Sequence, residues 1–237
     1  MLATETTTML LARTPIFAAL PLAEVHRVAM AMSEQSFVAG QQVFGREDAG
    51  GELFLVLKGR VSLSIVSGGG QPLSFRHAVE GDLFGEIAVL DGGLRASDAT
   101  ALTSVRLGTL SRVAFMQLIA THPKLALSTI ALLCDRLRRT SEQVEDLVLH
   151  PVGVRVAKLL LHIHKLGKTK QSGKRQPDPG ALIDIGMSQG EMANLIGSSR
   201  QSVNIILGGW EKDGIVKKAG RRLKCNIARL VEIVAQD

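Results

Sequence analysis

Apolar and polar positions alternate in short runs through the first half of the chain, and glycines separate one run from the next. These runs have the two-residue period of half-buried strands: QQVFG, ELFLVLKGRVSLSIV, LSFRHAV and TSVRLGTL. Helical spacing occurs from Pro21 to Met32 and does not return until about Val113. The pattern therefore predicts an antiparallel β barrel or sandwich that follows one helix.

A long helix is predicted after the strands, in residues 123–150, because Pro151 disfavours helical geometry in the residue before it. Ile130, Leu137 and Val144 recur every seven residues along this helix. Such an apolar stripe packs either on the chain's own strands or on a second copy of the helix in a parallel pair. The spacing alone leaves both arrangements open.

Two short helices are predicted closer to the C-terminus. Ser188 and Glu191 form a capping box at the start of the first helix, and Gly197 ends it. Ser198 or Ser199 then caps the second helix. Two helices joined by such a short glycine turn have the spacing of a helix-turn-helix, and a generic helical hairpin is the alternative.

The second of these helices begins with side chains suited to DNA. Arginine can donate two hydrogen bonds to guanine and glutamine can pair with adenine, so Arg200, Gln201 and Asn204 are the expected base contacts. The serines of this segment are expected to hold phosphates or to cap helices: Ser188, Ser198, Ser199 and Ser202.

Two strand-like pieces around Ala219-Gly220 predict a β hairpin next to the helix pair. Its basic residues are Lys217, Lys218, Arg221, Arg222 and Lys224. A hairpin in this position is a wing that contacts the DNA backbone, although a solvated charged hairpin has the same pattern.

Charge is distributed unevenly along the 237 residues. Residues 1–150 contain 13 basic and 15 acidic side chains, whereas residues 151–237 contain 15 basic and 7 acidic ones. All seven phenylalanines lie at or before Phe115, and the single tryptophan is Trp210. These shifts predict two domains, of which the basic one binds a polyanion or only presents a solvated basic face.

Several classes of protein are disfavoured by what the sequence lacks. It has no run of eighteen apolar residues and no signal-peptide pattern at its start, so a cytoplasmic protein without a membrane anchor is expected. Cys134 and Cys225 are far apart and lack neighbours at metal-ligand spacing. No nucleophile or close carboxylate pair indicates catalysis, so we expect neither an enzyme, nor a metal site, nor a covalent cofactor.

Two stretches of the sequence match a known pattern: FGEIAVLDGGLRASDATA, Phe84 to Ala101, and SQGEMANLIGSSRQSVN. Through them the chain resembles the Crp/Fnr family of bacterial transcription regulators over nearly its whole length. The resemblance implies an α+β fold with three parts. These are an N-terminal double-stranded β-helix of the cyclic-nucleotide-binding kind, or β roll, in residues 1–122, a long dimerisation helix in residues 123–150, and a winged helix-turn-helix DNA-binding domain in residues 151–237.

The first stretch resembles the family's effector cassette. Glu86 and Arg95 stand nine residues apart in it, a spacing that resembles cyclic-nucleotide-dependent kinase regulatory domains more than the bacterial cassette, which is one residue longer. An arginine can donate charge-assisted hydrogen bonds to the phosphate of a cyclic nucleotide, and a carboxylate can accept one from the ribose hydroxyl. The resemblance also implies that Thr140 and Ser141 contact adenine. The expected effector residues are Gly85, Glu86, Ile87, Ala88, Arg95, Ala96, Ser97, Thr140 and Ser141. A structural salt bridge between Glu86 and Arg95 in an empty roll is the alternative.

The expected function is sequence-specific regulation of transcription under the control of a small effector, with a cyclic nucleotide such as cAMP favoured. The alternatives are a Crp/Fnr-type regulator with a non-nucleotide effector or none, and a cyclic-nucleotide-binding module that contacts protein. The expected partners are double-stranded DNA, a second copy of the chain and, for an activator, RNA polymerase.

The match is looser in the DNA-binding helix. Ile205 replaces an arginine of the family pattern and cannot contact guanine, which puts the usual half-site in doubt. Gly208 and Gly209 each cost about 1 kcal/mol relative to alanine and are expected to end that helix early.

Overall fold

The computed structural model describes residues 2–66, 68, 70, 72–170, 180–219 and 222–236. The chain forms two compact units, Met1–Thr140 and Ser141–Asp237. The helices of the first unit are α1 (Leu2–Arg13), a 3-10 turn (Phe17–Ala19), α2 (Leu22–Ala31), α3 (Glu86–Asp91) and α4 (Arg112–Thr121). Its strands are β1 (Ser33–Phe37), β2 (Gln42–Phe44), β3 (Glu52–Lys58), β4 (Arg60–Val66), β5 (Pro72–Val79), β6 (Leu83–Phe84), β7 (Asp98–Ala101) and β8 (Val105–Ser111).

These strands form two antiparallel sheets, with strand orders β1-β8-β3-β6 and β2-β7-β4-β5. Phe54 and Val56 of β3 pack in a cluster with residues of the other sheet, such as Val61 and Ala99. Leu53 and Leu55 lie on the opposite face of β3 and pack instead against the helices. Strand β3 is therefore buried on both faces, which explains its continuous apolar run. The predicted two-layer β architecture is confirmed.

The helix α3 is absent from the sequence-based expectations, which placed no helix between Met32 and Val113. It has only six residues, too few for a helical period to stand out. Its ends are set by backbone conformation, because Gly85 and Gly92 adopt left-handed φ values of 79° and 75°. Helices α1 and α2 cover one face of the roll, and α1 was likewise not predicted.

The long helix α5 (Pro123–Leu149) runs across the boundary between the two units. Its length agrees with the prediction, and Pro151 separates it from α6 (Val152–Lys170). Across this break, Lys158 Nζ of α6 donates to Asp146 Oδ1 of α5 at 2.6 Å. The pair connects the end of α5 to the start of α6.

The remaining elements of the second unit are β9 (Gly180–Asp184), α7 (Gln189–Leu195), α8 (Arg200–Lys212), β10 (Val216–Ala219), β11 (Arg222–Asn226) and α9 (Ile227–Ala235). Helices α6, α7 and α8 share one core, which includes Leu160, Met192 and Val203. The predicted hairpin β10-β11 is present, and β9 extends it to a three-stranded antiparallel sheet. Neither β9 nor α9 was predicted. The polar segment 171–179 lies outside the described residues.

The prediction that Gly208 and Gly209 end the second helix early is wrong, because α8 continues to Lys212. The buried side chains Val203 and Leu207 hold α8 on the core, and this packing outweighs the low helix propensity of two glycines. A β-carbon added at Gly208 or Gly209 would meet no atom within 4 Å.

Gly208→Ala and Gly209→Ala should therefore stabilise the second unit, each by up to about 1 kcal/mol, because alanine is the better helix former and both sites have room for it. Scanning calorimetry should show a higher unfolding temperature for that unit. Gly59→Ala is the contrasting control, since Gly59 has a φ of 92° and a β-carbon there would lie 2.5 Å from Ser104 O. A loss of stability in Gly208→Ala would contradict the explanation.

Candidate functional site

The backbone around Arg95 is fixed by the segment that precedes β3. Arg95 N donates to Asp48 O, and Glu47 N donates to Arg95 O, both at 2.9 Å. Gly50 lies against Ala88 of α3 so closely that a β-carbon at position 50 would collide with the Ala88 side chain. These contacts place Arg95 next to the N-terminal end of α3, where Glu86 begins the helix.

The Arg95 side chain is buried, with 5% of its surface exposed. Its Nη1 donates to Gly85 O at 2.9 Å, and its guanidinium carbon lies 4.2 Å from the centre of the Phe44 ring and 5.3 Å from that of Phe54. Its Nε is buried and has no hydrogen-bond partner among the residues that the structure describes. Burial lowers the pKa of Arg95, while Glu52, Asp48 and Glu86 act in the opposite direction. Among the described residues no carboxylate forms an ion pair with this guanidinium.

Glu86 is also buried, but its partner comes from the long helix. Arg136 Nη1 forms an ion pair with Glu86 Oε1, and Arg136 Nη2 donates to Leu83 O at 2.7 Å. The alternative of a salt bridge between Glu86 and Arg95 is therefore wrong. A buried carboxylate needs a cation, and α5 supplies it within the first unit.

A second arginine reaches the same carbonyl. Arg76 Nη2 on β5 donates to Leu83 O at 3.0 Å, and its Nη1 lies 3.8 Å from Asp82 Oδ2. Burial and the neighbouring charge of Arg136 lower the pKa of Arg76 to about 10, although Asp82 and Glu86 act in the opposite direction. Three arginines therefore surround the start of α3, and one of them, Arg95, has no carboxylate partner in the part of the chain that the structure describes.

Sequence reasoning did not find four residues of this site: Phe44, Phe54, Arg76 and Arg136. Phe44 and Phe54 lie well before the cassette in sequence, and strand pairing brings them beside Ala99 and Phe84, so spacing gives no signal for them. Arg76 lies on β5, and spacing gives no signal for it either. Arg136 had one available signal, because it lies four residues, or about one helical turn, before Thr140.

The other predicted effector residues occupy varied surroundings. Ile87 is 46% exposed, whereas Ala88 is buried. Ala96 is exposed and Ser97 is half-buried. Thr140 and Ser141 are exposed in the middle of α5. The structure thus brings Gly85, Glu86 and Arg95 together by direct contacts, while in the described part of the chain Thr140 makes no hydrogen bond to the cassette.

The apolar stripe of α5 is exposed. Ile130, Leu137 and Val144 are 56%, 68% and 54% exposed. On other faces of the same helix Leu125 and Thr129 are buried, so only part of α5 packs on the first unit. An exposed apolar stripe with a seven-residue repeat is the surface from which parallel helix pairs form.

The second unit presents the expected helix-turn-helix. Ser188 Oγ accepts from Glu191 N at 3.2 Å and the Glu191 carboxylate accepts from Ser188 N, which completes the predicted capping box. Ser199, rather than Ser198, caps α8 and accepts from Ser202 N at 3.0 Å. The Ser198 N–H donates to Ala193 O at 2.9 Å in the turn between the helices.

The polar side of α8 is exposed. Its exposed residues include all three expected base contacts, Arg200, Gln201 and Asn204. Val203 and Leu207 face the core on the other side of the helix. The exposed side of α8 therefore makes few contacts that hold the fold together.

An arginine of α6 supports the turn before α8 and was not predicted. Arg155 Nη1 donates to Ile196 O at 2.6 Å, at the C-terminal end of α7. A free carbonyl at a helix end accepts such a charged donor well, so Arg155 fixes the turn from which α8 begins.

The wing exposes three of its predicted basic residues, Lys217, Lys218 and Lys224. Lys218 also binds α8, since its Nζ lies 3.3 Å from Glu211 Oε2 and its N–H donates to Glu211 Oε1 at 3.3 Å. These bonds lower the pKa of Glu211, the backbone one most strongly. Arg221 lies outside the described residues, as does the side chain of Arg222.

Two family models match the chain in separate segments. The cyclic nucleotide-binding domain matches residues 34–122, which include the cassette and the strands around it. The Crp-like helix-turn-helix domain matches residues 154–233, which include α7, α8 and the wing.

Curated relatives match almost the whole chain. A CRP-like cAMP-activated global transcriptional regulator of Mycobacterium tuberculosis is 29% identical over 212 residues, 90% of this chain and 92% of that protein. The cyclic AMP receptor protein of Thermus thermophilus is 30% identical over 221 residues, 93% of this chain and 96% of that protein. FixK2 of Bradyrhizobium japonicum has the same fold, with a TM-score of 0.71 at 20% identity over 85% of this chain and 96% of its own.

No described helix is long and apolar enough to span a membrane. No group of three or more histidine, cysteine, aspartate or glutamate side chains in the described ranges is placed to hold a metal ion.

Arg136→Met should destabilise the first unit by about 3 kcal/mol, because it leaves the buried Glu86 carboxylate without a cation. Urea unfolding followed by circular dichroism measures the change. The double variant Glu86→Gln with Arg136→Met should regain most of the loss, since the buried charge is then gone as well.

Arg139→Met is the matched control for this prediction. Arg139 lies one residue before Thr140 on the same helix and pairs with Asp135, but its side chain is 60% exposed. Its removal should change the free energy of unfolding by less than about 1 kcal/mol. Equal losses in Arg136→Met and Arg139→Met would contradict the special role of the buried pair.

Proposed function

The chain belongs to the Crp/Fnr family of transcription regulators, and on this premise we propose that it binds DNA specifically under the control of a cyclic nucleotide such as cAMP. The observation on which the proposal rests is Arg95, a buried guanidinium with an unused donor and no carboxylate partner in the described part of the chain. The first unit senses the effector, and the second unit binds DNA.

Arg95 is suited to the phosphate of the effector. The phosphate diester of a cyclic nucleotide has one negative charge, which matches one uncompensated guanidinium. Phe44 and Phe54 pack on the guanidinium and exclude water from it, so its charge acts through a medium of low dielectric constant. A compact anion that replaces the missing carboxylate therefore gains a strong charge-assisted hydrogen bond.

Glu86 is suited to the ribose, and it also connects the ligand to the long helix. Its carboxylate has two oxygens, and the ion pair with Arg136 involves Oε1. The remaining acceptor capacity binds the 2′-hydroxyl of the ribose. A ligand at Glu86 thereby changes the surroundings of Arg136 on α5, which gives effector binding a route to the helix that continues into the second unit.

The exposed stripe of α5 supports a homodimer. The apolar side chains that recur every seven residues on α5 are exposed to water: Ile130, Leu137 and Val144. A parallel copy of the same helix buries them. Thr140 lies in this region and, with Ser141, contributes the proposed contacts to the base of the effector. A two-fold dimer with two copies of α8 predicts a DNA site made of two inverted half-sites.

A non-nucleotide anion is a second candidate effector, because Glu86 already has a cation, whereas Arg95 has an unused donor and pairs with no carboxylate among the described residues. A small anion without a hydroxyl satisfies that site equally well. Titration calorimetry with cAMP, cGMP and inorganic phosphate in parallel separates the two candidates, since only a nucleotide uses both Arg95 and Glu86.

Arg95→Met should lower the affinity for cAMP at least tenfold while the fold is retained, because the methionine keeps apolar contact with the two phenyl rings but loses the charge. Titration calorimetry measures the affinity, and thermal unfolding followed by circular dichroism monitors the fold. The control is Arg106→Met, which removes an exposed arginine of the same unit that pairs with Glu34. An unchanged affinity in Arg95→Met would rule out Arg95 as the phosphate ligand.

Arg200→Ala should reduce discrimination between DNA sequences more than it reduces non-specific binding, because Arg200 is exposed at the start of α8, where base edges are reached. Gel-shift titrations on specific and random duplexes give both affinities. Lys217→Ala in the wing is the comparison, and it should weaken binding to all sequences alike. An equal loss on every duplex for Arg200→Ala would contradict a base contact.

A further inference from the structure

Ile205 is an aliphatic side chain on the exposed side of α8. It is 65% exposed, although the buried positions of the helix, Val203 and Leu207, are near it in sequence. It adds nothing to the core of the second unit. An isoleucine in a helix is also less favourable than an arginine or a lysine at the same exposed position. The fold itself therefore gives no reason for isoleucine here.

The neighbours of Ile205 on the surface are the proposed base contacts. Gln201 lies four residues before it, and Asn204 lies in the same turn about 100° around the helix; both are exposed. Side chains four positions apart are adjacent on the surface of a helix. In the next turn Gly208 and Gly209 have no side chains that could stand between Ile205 and an approaching duplex. The exposed side of α8 thus combines hydrogen-bonding groups with one accessible aliphatic group.

We propose that Ile205 contacts the C5-methyl group of a thymine in the major groove and thereby selects a T·A pair in each half-site. This inference rests on the proposed DNA binding by α8. In the major groove thymine differs from the other bases by its methyl group, and aliphatic side chains recognise it by apolar contact. Isoleucine has no donor for guanine and no acceptor for cytosine, so thymine is the base that it favours.

The position of this thymine follows from the helix. Residues 201 and 205 are separated by about 6 Å along the axis of α8. Successive base pairs are about 3.4 Å apart. The thymine should therefore lie within about two base pairs of the base that Gln201 contacts.

The first step of the test is to select binding sites from a randomised duplex library with the full-length protein, in the presence and in the absence of cAMP. In the enriched site, each thymine is then replaced singly by deoxyuridine, which lacks only the methyl group. We expect one thymine per half-site at which this change lowers the affinity about fourfold, the factor that corresponds to one buried methyl group of about 0.8 kcal/mol.

The same titrations with Ile205→Ala connect the methyl group to the side chain. This variant should bind the thymine and the deoxyuridine duplexes equally, and it should fold, because Ile205 is exposed and alanine is the better helix former. Ile205→Val should keep part of the preference for thymine. Ile205→Arg should move the preference at that base pair toward guanine. Asn204→Ala is the control, and it should keep the full thymine effect.

The outcomes separate this assignment from the proposed function. If a specific site is enriched but no thymine shows a methyl effect that depends on residue 205, DNA binding stands and the assignment of Ile205 is overturned. The same holds if the sensitive thymine lies far from the base affected by Gln201→Ala. If the protein enriches no sequence at all, the proposed function itself fails and the assignment fails with it.

Discussion

The buried carboxylate of Glu86 imposes the constraint on which the first unit depends. A carboxylate removed from water must have a cation, and here Arg136 on the long helix provides it. The same arginine holds Leu83 O, to which Arg76 also donates. Strand β5, the start of α3 and the first half of α5 therefore belong to one charged network, and α5 cannot shift without disturbing the buried acid.

This network determines which of the described charged side chains around α3 has no counter-ion and can bind a ligand. Glu86 is compensated by an ion pair with Arg136, whereas the Arg95 guanidinium contacts two phenyl rings and a carbonyl and forms no ion pair with a carboxylate among the described residues. Stacking on aromatic rings does not replace a counter-ion, because burial still disfavours the charged form and lowers the pKa of Arg95. Arg95 is therefore the buried charge with which a small anion can pair.

In the second unit, one side of α8 packs on the core and the other side is exposed. Val203 and Leu207 hold α8 on the core, Ser199 caps it, and Arg155 supports the turn that precedes it. The opposite side makes almost no contacts that the fold needs. Residues there can change without unfolding the unit, which explains how the chain can keep the family's architecture with Gln201 and Ile205 on its exposed side.

The sequence by itself predicted an antiparallel β barrel or sandwich, the long helix, the helix pair with its caps and the basic hairpin, because these follow from periodicity, capping residues and proline, all of which act locally. It also placed Glu86 and Arg95 in one cassette. Only the tertiary structure decided that Glu86 pairs with Arg136 rather than with Arg95, that Phe44 and Phe54 cover the guanidinium, and that α8 continues through Gly208 and Gly209. These are contacts between segments distant in sequence, or packing that outweighs local propensity, and neither is encoded in spacing along the chain.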